Sequence, residues 1–467
     1  MRNMREATLW SGYMLLLLAA ETGLGADKQD KYSMNSKRSP AAVDRLEAVL
    51  EVGGTLNLAT GSPSSPGKPK PVKMSAKATL AYCERPLKVP ASPDLSARAI
   101  RYYDKSVAAI QVGPGSFKPT LREDRRLIGV EIRGPKVLIF SPRGPLTREE
   151  LDLVDVHGNS LALDRLLPPR AVAVGETWKL GDSLLGVLCG LDTVTQSDAQ
   201  CVLQSVEKDV AQVEAAGYVA GSVNGLSSTI QIKAKYRFDL QAGRITWFGL
   251  LVKEEREAGA IGPGLDVVAR LQVKITPGAE APQLTDAALK DLPLEPTDSL
   301  RQLAYSLPEA GWETALDRRW LVISERKDLT ILRMADGGDY VAQCNISALE
   351  SGQGKKPTLA EFQEDIREAL GKSFQQFVRA SEGASEGGYA VCRVVARGEV
   401  SRVPIEWIYY RLIDKLGRQL VILFTVEAGM AEKFRESDRE LVRAVRFLEP
   451  KLAAKPQPEG VKKDQAK

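Results

Sequence analysis

The chain holds a single histidine, His157, so any Ser–His–Asp triad or imidazole base would have to use it. It stands in His157–Gly158–Asn159, a turn-type tripeptide expected to split a hairpin, where an imidazole is ordinarily a solvated loop residue. Ser205-x-x-Lys208 and Ser324-x-x-Lys327 have the spacing of a lysine-activated serine, a pattern short enough to recur by chance. Ala220–Gly221–Ser222–Val223 only superficially resembles a G-x-S-x-G elbow. Asp336–Gly337–Gly338–Asp339 offers two carboxylates to calcium, but an EF-hand needs further ligands, and the stretch reads as a tight turn between strands. Gly352–Gln353–Gly354–Lys355 lacks the upstream glycine and the following Ser or Thr of a phosphate loop. Glu149–Glu150 and Glu254–Glu255 are adjacent in sequence and diverge on helices and strands alike, so they read as solvated charges. From these residues no catalytic group, metal set or cofactor is assigned.

Five cysteines follow: Cys83, Cys189, Cys201, Cys344 and Cys392. Cys189–Cys201 and Cys344–Cys392 are the candidate disulfides if the compartment is oxidising. The alternative is that all five are small buried hydrophobes. The aromatic residues Trp178, Tyr236, Phe238 and Trp247 are the candidate ligand-binding residues, able either to line a cavity in a curved sheet or to plug it.

These residues must be carried by strands. Ile230, Ile232, Ala234, Tyr236, Phe238 and Leu240 alternate with Thr229, Gln231, Lys233, Lys235, Arg237 and Asp239. Leu265 to Ile275 alternates almost as strictly. This period of two describes antiparallel strands with one dry and one wet face. Leu46–Leu58 reads as the first strand, Gln241–Ala242–Gly243 as a hairpin turn, and Gly61–Lys73 as a flexible Pro/Gly/Ser/Lys insertion. Helix is scarce: Thr147–Val154 opens with a Thr-x-x-Glu capping box, and Asp182–Leu188 is closed by Gly190. Neither is long enough to cover a large sheet, so the sheet must bury its apolar face by curling on itself or by packing a second layer against it, and a strongly curved, partly closed barrel is the expectation.

The fold class expected is α+β: a large antiparallel curved sheet or half-barrel over 41–276, then a smaller α/β/α sandwich over 309–450. Residues 277–308, with five prolines from Thr276 to Pro308, read as an interdomain linker. In the second unit Leu359, Phe362, Ile366, Leu370, Phe374 and Phe377 fall on one face at helical spacing, after a Thr358/Glu361 capping box. Tyr389–Ala396, Pro404–Ile413 and Arg418–Glu427 read as strands. The last is apolar on both faces and therefore covered on both sides.

Composition bounds the role. With 467 residues, 43% hydrophobic and 27% charged, the chain is long enough for two or three cores. Net charge is +4, and after Pro450 there are five Lys against one Glu and one Asp, so the body is near neutral and no nucleic-acid partner is expected. Arg2 and Arg5 precede an apolar stretch from Leu9 to Ala20 with small residues at Gly23, Gly25 and Ala26, the pattern of a signal peptide ending near residue 26. The expectation is therefore an extracytoplasmic protein, periplasmic or secreted, without a transmembrane helix after cleavage. The basic tail 451–467 reads as disordered.

The order of elements ending in VILFTVEAGMAEKFRESDRELVRAVRFLEP resembles the fold shared by PsbP of photosystem II and the Ran-binding Mog proteins, over about 310–450. That resemblance implies an α/β/α sandwich acting as an adaptor or assembly factor, with no common catalytic residues. Gly175–Trp178 (GETW) and Lys235–Trp247 (KYRFDLQAGRITW) are similar to uncharacterised secreted bacterial β-rich proteins and to the half-barrel of lipoprotein carriers. That resemblance implies a concave apolar surface able to hold a ligand. The expected function is an exported non-catalytic binding or scaffold protein of the cell envelope, its partner an apolar ligand or an envelope protein. The alternatives are a hydrolase using carboxylates or a Ser–Lys pair, and a structural envelope component.

Overall fold

A computed structural model describes residues 30–40, 42–62, 65–88, 96–259, 262–349 and 358–449. The signal-peptide pattern, Gly352–Lys355 and the basic tail lie outside the described residues. Strand accounts for 57% and helix for 17%, an α+β protein built mostly of antiparallel sheet, with no closed barrel. No helix among the described residues is long and apolar enough to cross a membrane.

The larger sheet has thirteen strands. Its main strands are β1 (Asp44–Ser62), β2 (Ser65–Lys88), β3 (Ala97–Val112), β4 (Leu127–Arg133), β5 (Lys136–Phe140) and β6 (Thr177–Lys179), followed by β7 (Gln200–Glu207), β8 (Val210–Val223), β9 (Leu226–Asp239), β10 (Arg244–Arg256) and β11 (Gly264–Pro277). They run side by side in the order β5-β4-β3-β2-β1-β11-β10-β9-β8-β7-β6. Register carries the alternation across the sheet. Ala108 lies opposite Ala78, Ala78 opposite Leu50, Leu50 opposite Leu271, Leu271 opposite Leu250, and Leu250 opposite Ala234. All of these therefore share one face. The other face carries charge, including the ion pairs Lys77–Glu51 at 2.7 Å and Lys253–Glu255 at 2.8 Å. Exposed pairs of this kind contribute little to stability and keep the wet face soluble.

Helices α1 (Arg148–Val154) and α2 (Asp182–Cys189) arise where their capping signals place them. Thr147 and Glu150 close the capping box, and Gly190, at φ +67°, supplies the left-handed residue that ends α2. Helix α2 packs against β5 near one end of the sheet and against the short strand Thr193–Ser197 near the other. The sheet thus bends round it, as a one-sided apolar sheet must. Two expectations are corrected here. His157–Gly158–Asn159 connects α1 to a 3₁₀ segment, Ser160–Leu166, and is not a hairpin turn. On either side of residues 63–64 the stretch Gly61–Lys73 is strand and not loop: β1 runs to Ser62, β2 starts at Ser65, and Ser62 pairs with Ser65. Beyond Met74 this part of β2 has lost its β3 neighbour, and an edge strand tolerates prolines.

The end of the sheet near Asp44 and Glu84 is sealed by charge. Glu84 accepts from Arg101 at 2.7 Å and from Ser160 at 2.8 Å, and it also pairs with Arg38. Asp44 binds Arg38 and Arg244. Arg38 belongs to an N-terminal strap whose Lys31–Tyr32 pairs with Val172–Ala173. Buried charges persist only when paired in this way.

The proline-rich stretch after β11 is packed. Leu284 and Leu289 cover Cys83, Ile100 and Leu127 on the convex side, and Arg85 donates to the Leu284 carbonyl at 2.7 Å. The second sheet comprises β12 (Trp320–Glu325), β13 (Leu329–Asp336), β14 (Asp339–Leu349), β15 (Phe374–Ala384), β16 (Ala390–Val400), β17 (Val403–Ile413) and β18 (Gln419–Glu427), in the order β12-β13-β14-β18-β17-β16-β15. One face is covered by α3 (Leu359–Leu370), whose Phe362 and Ile366 meet Val394, Ala396, Trp407 and Tyr409. The other is covered by α4 (Ser437–Ala444), with Leu441 and Val442 in the cluster of Ile422 and Phe424. Phe374 and Phe377 are not on the helix. Gly371, at φ +51°, ends it, and both rings belong to β15, packing beside the same cluster.

Candidate functional site

The concave face of the larger sheet divides into a filled half and an open half. Over β7–β10 it is filled by the chain itself. Trp178 Nε1 and Tyr236 Oη both donate to the Leu166 carbonyl, at 2.9 and 3.0 Å. Phe238, Phe248 and the leucines of α2 complete this core. Buried aromatic groups with satisfied polar ends are structural anchors. Trp178, Tyr236 and Phe238 are thus brought together, packed against the chain's own backbone. Trp247 is not with them: it pairs with Arg237 on the convex face, where that guanidinium lies 5.7 Å from its ring centroid. A bulge between Arg237 and Phe238 shifts the register and turns Trp247 outward.

Over β1–β3 the concave face carries Leu50, Ala76, Ala78, Ala108 and Ile110, and α1 stands across from it without filling the space between. They wall an open groove of ≈ 580 Å³, closed on its far side by Phe117, Pro119, Leu153 and Val156. Three alanines in adjacent positions create this space: the row that holds Leu50, Leu271 and Leu250 continues over β2 and β3 as the single methyl groups of Ala78 and Ala108, with Ala76 beside them. The volume is that of a pocket for one small organic ligand.

Next to the groove, and sharing Asp152 and Val156 with it, is a polar chamber of ≈ 640 Å³. Asp155, His157, Lys136 and Arg256 line it. Crowding by surrounding protein, then the neighbouring Asp152 carboxylate, raises the Asp155 carboxyl to about 6. Asp152 is raised as well, chiefly by the same crowding. Burial lowers the His157 imidazole, against the opposing pull of Glu254 and a hydrogen bond with the Cys189 backbone. Glu254 is spent on Ser228 at 2.7 Å and Arg256 at 2.6 Å.

The remaining sequence candidates are dispersed. Ser205 and Lys208 flank the end of the β7–β8 hairpin, and Ser324 and Lys327 the β12–β13 connection. Asp336 and Asp339 face each other across the β13–β14 turn and are held by Arg319 at 3.2 Å and Lys433 at 2.5 Å. Among the described residues no group of three His, Cys, Asp or Glu side chains is arranged to hold a metal ion. Glu150 is buried in the α1 cap and bound to Arg122 at 2.6 Å, while Glu149 faces solvent. All five cysteines are free thiols. Cys344 and Cys392 lie on β14 and β16, with β18 and β17 between them, a separation of roughly 14 Å at the usual strand spacing. Burial pushes Cys189 and Cys201 up to about 12, so both are inert.

Sequence reasoning missed the groove. Its residues are the blandest in the chain, and the available signal was the run of alanines on the dry face of β2 and β3.

No family model and no curated protein sequence matches the chain. Among solved structures it is similar to PsbP from the cyanobacterium Synechocystis, at 11% identity and a TM-score of 0.27, covering 32% of this chain and 92% of that one. It is also similar to the Ran-binding protein Mog1p of Saccharomyces cerevisiae, at 9% identity and a TM-score of 0.26, covering 32% and 95%. A third likeness is to lipovitellin, at 10% identity and a TM-score of 0.31, covering 53% of this chain and 27% of that one. Each is confined to part of the chain, and none reaches an identity at which function would follow fold.

Proposed function

We propose that the protein is an exported, non-catalytic binding protein that holds an apolar ligand in the groove over β1–β3. The observation that carries this reading is the contrast within one concave face. A well-packed core fills one half, and ≈ 580 Å³ of apolar space stays open beside Ala76, Ala78 and Ala108 in the other. Soluble domains rarely leave a carbon-lined concavity of this size without a use for it. Export is inferred from Arg2, Arg5 and the apolar stretch Leu9–Ala20.

The test is thermal stabilisation of delipidated protein by alkyl ligands and lipid extracts. A ligand at one hundred times its Kd adds about 2.7 kcal/mol, so the melting temperature rises with ligand concentration. An unchanged melting temperature across neutral, cationic and anionic alkyl ligands would contradict the proposal.

A further inference from the structure

We propose that the convex face of the larger sheet binds a linear acidic polysaccharide, a flat, ribbon-like uronate chain, along a strip on β10 banked by cations on β9 and β11. The strip lies on the opposite side of the sheet from the groove and does not depend on the reading of the groove.

Register lays the strip out. Along β10, Trp247, Gly249 and Leu251 point to the convex side. Trp247 stands between Arg237 on β9 and Lys274 on β11, and Leu251 between Lys233 and Arg270. Lys235 stands beside Gly249, and Lys253 closes the far end. The two banks are about 10 Å apart, two strand spacings, and rows recur about every 7 Å. Over these four rows the convex side of the three strands carries six cations and no acid. Lys235 and Lys253 are held by Glu214 and Glu255, at 2.5 and 2.8 Å. Lys233, Arg237, Arg270 and Lys274 make no ion pair among the described residues. The nearest acids beyond β11 are on β1: Glu51 is taken by Lys77 at 2.7 Å, and Glu47 stands opposite Lys274.

The body of the chain is near neutral, so six like charges here are a local concentration. A wet face needs charge of either sign, as Lys77 against Glu51 supplies on β1 and β2. One sign alone adds repulsion, which an anionic partner relieves. Trp247 points the same way. The bulge between Arg237 and Phe238 turns it out of the core and into the strip. Gly249 then lets the indole lie low, because a Cβ there would fall 2.6 Å from Trp247 Cη2. A low, partly exposed ring is a platform for the C–H face of a sugar. Guanidinium and ammonium groups on either side take carboxylates. Successive rings of a uronate ribbon turn over, so its carboxylates leave alternate edges and meet both banks. A single-stranded nucleic acid carries its phosphates along one line and would leave one bank idle. A ring lying against its own strand has no reach into a bilayer.

The experiment titrates the full chain with oligomannuronate at low salt, with neutral dextran, a thymidine oligonucleotide and phosphatidylglycerol vesicles alongside. Oligomannuronate should bind saturably, more tightly than the other three, and weaken as salt rises. Lys233→Gln combined with Lys274→Gln should weaken it at least about tenfold and flatten its salt dependence. Trp247→Ala should weaken it about fivefold and leave the salt dependence as in wild type. A melting transition close to that of wild type shows that each variant is folded. Absence of saturable binding, or binding that survives either substitution unchanged, would overturn the inference. So would equal or tighter binding of dextran, the oligonucleotide or the vesicles.

Discussion

The two halves of the concave face belong to one continuous antiparallel sheet, yet one is a core and the other is a cleft. Over β7–β10 the dry face presents Tyr236, Phe238 and Phe248, and α2 and the 3₁₀ segment lie on it. Over β1–β3 the groove wall is Ala76, Ala78 and Ala108, and α1 stands across the space without filling it. Alternation decides which face is dry. Side-chain volume and the placement of one short crossover decide whether that face is full.

Truncation should separate the halves most sharply. Phe248→Ala, in the filled half, should cost roughly 3–5 kcal/mol in urea unfolding, and Ile110→Ala, on the open groove, about 1 kcal/mol. Equal costs would erase the distinction.

Acid should act next, through the charged seal at the end of the sheet. Pairing with Arg101 and Arg38 outweighs burial and holds Glu84 at about 2, below its ordinary 4.5. A carboxyl depressed in the folded state contributes its full stability above 4.5 and loses it as pH falls toward 2. The loss is on the order of 3 kcal/mol and appears as a falling melting temperature across that window. Glu84→Gln should flatten the fall; an unchanged slope would remove Glu84 from the seal.

Small-to-large changes give a third, smaller contrast. Ala234→Phe, beneath the filled half, should cost roughly 1–3 kcal/mol through overpacking. Ala76→Phe has open groove to enter, so its melting temperature should stay unchanged or rise. The least effect belongs to Trp247→Ala on the convex face, at less than about 1 kcal/mol and with no change in binding at the groove.

Much of the fold was legible because its signals are local. Thr147 with Glu150 predicted α1, and Gly190 predicted the end of α2. The alternation from Thr229 to Leu240 predicted β9 and its dry face. What escaped depends on register or on distant packing. The bulge at Arg237 that sends Trp247 outward leaves no trace in composition. Phe374 and Phe377 keep helical spacing with Phe362, although Gly371 has already ended α3. His157 looked like a loop residue because only the docking of α2 brings Cys189 and Gly190 against it. The groove was hardest to read, because an alanine in a strand announces neither a cavity nor its absence until the opposite wall is in place.

The most direct test is a titration of delipidated protein with N-phenylnaphthylamine, comparing wild type with Ala76→Phe. The expected result is saturable binding at one site in wild type and at least about tenfold weaker binding in the variant, with an undiminished melting temperature. Absence of saturable binding, or equal binding by a folded Ala76→Phe variant, would show that the space beside the three alanines holds nothing.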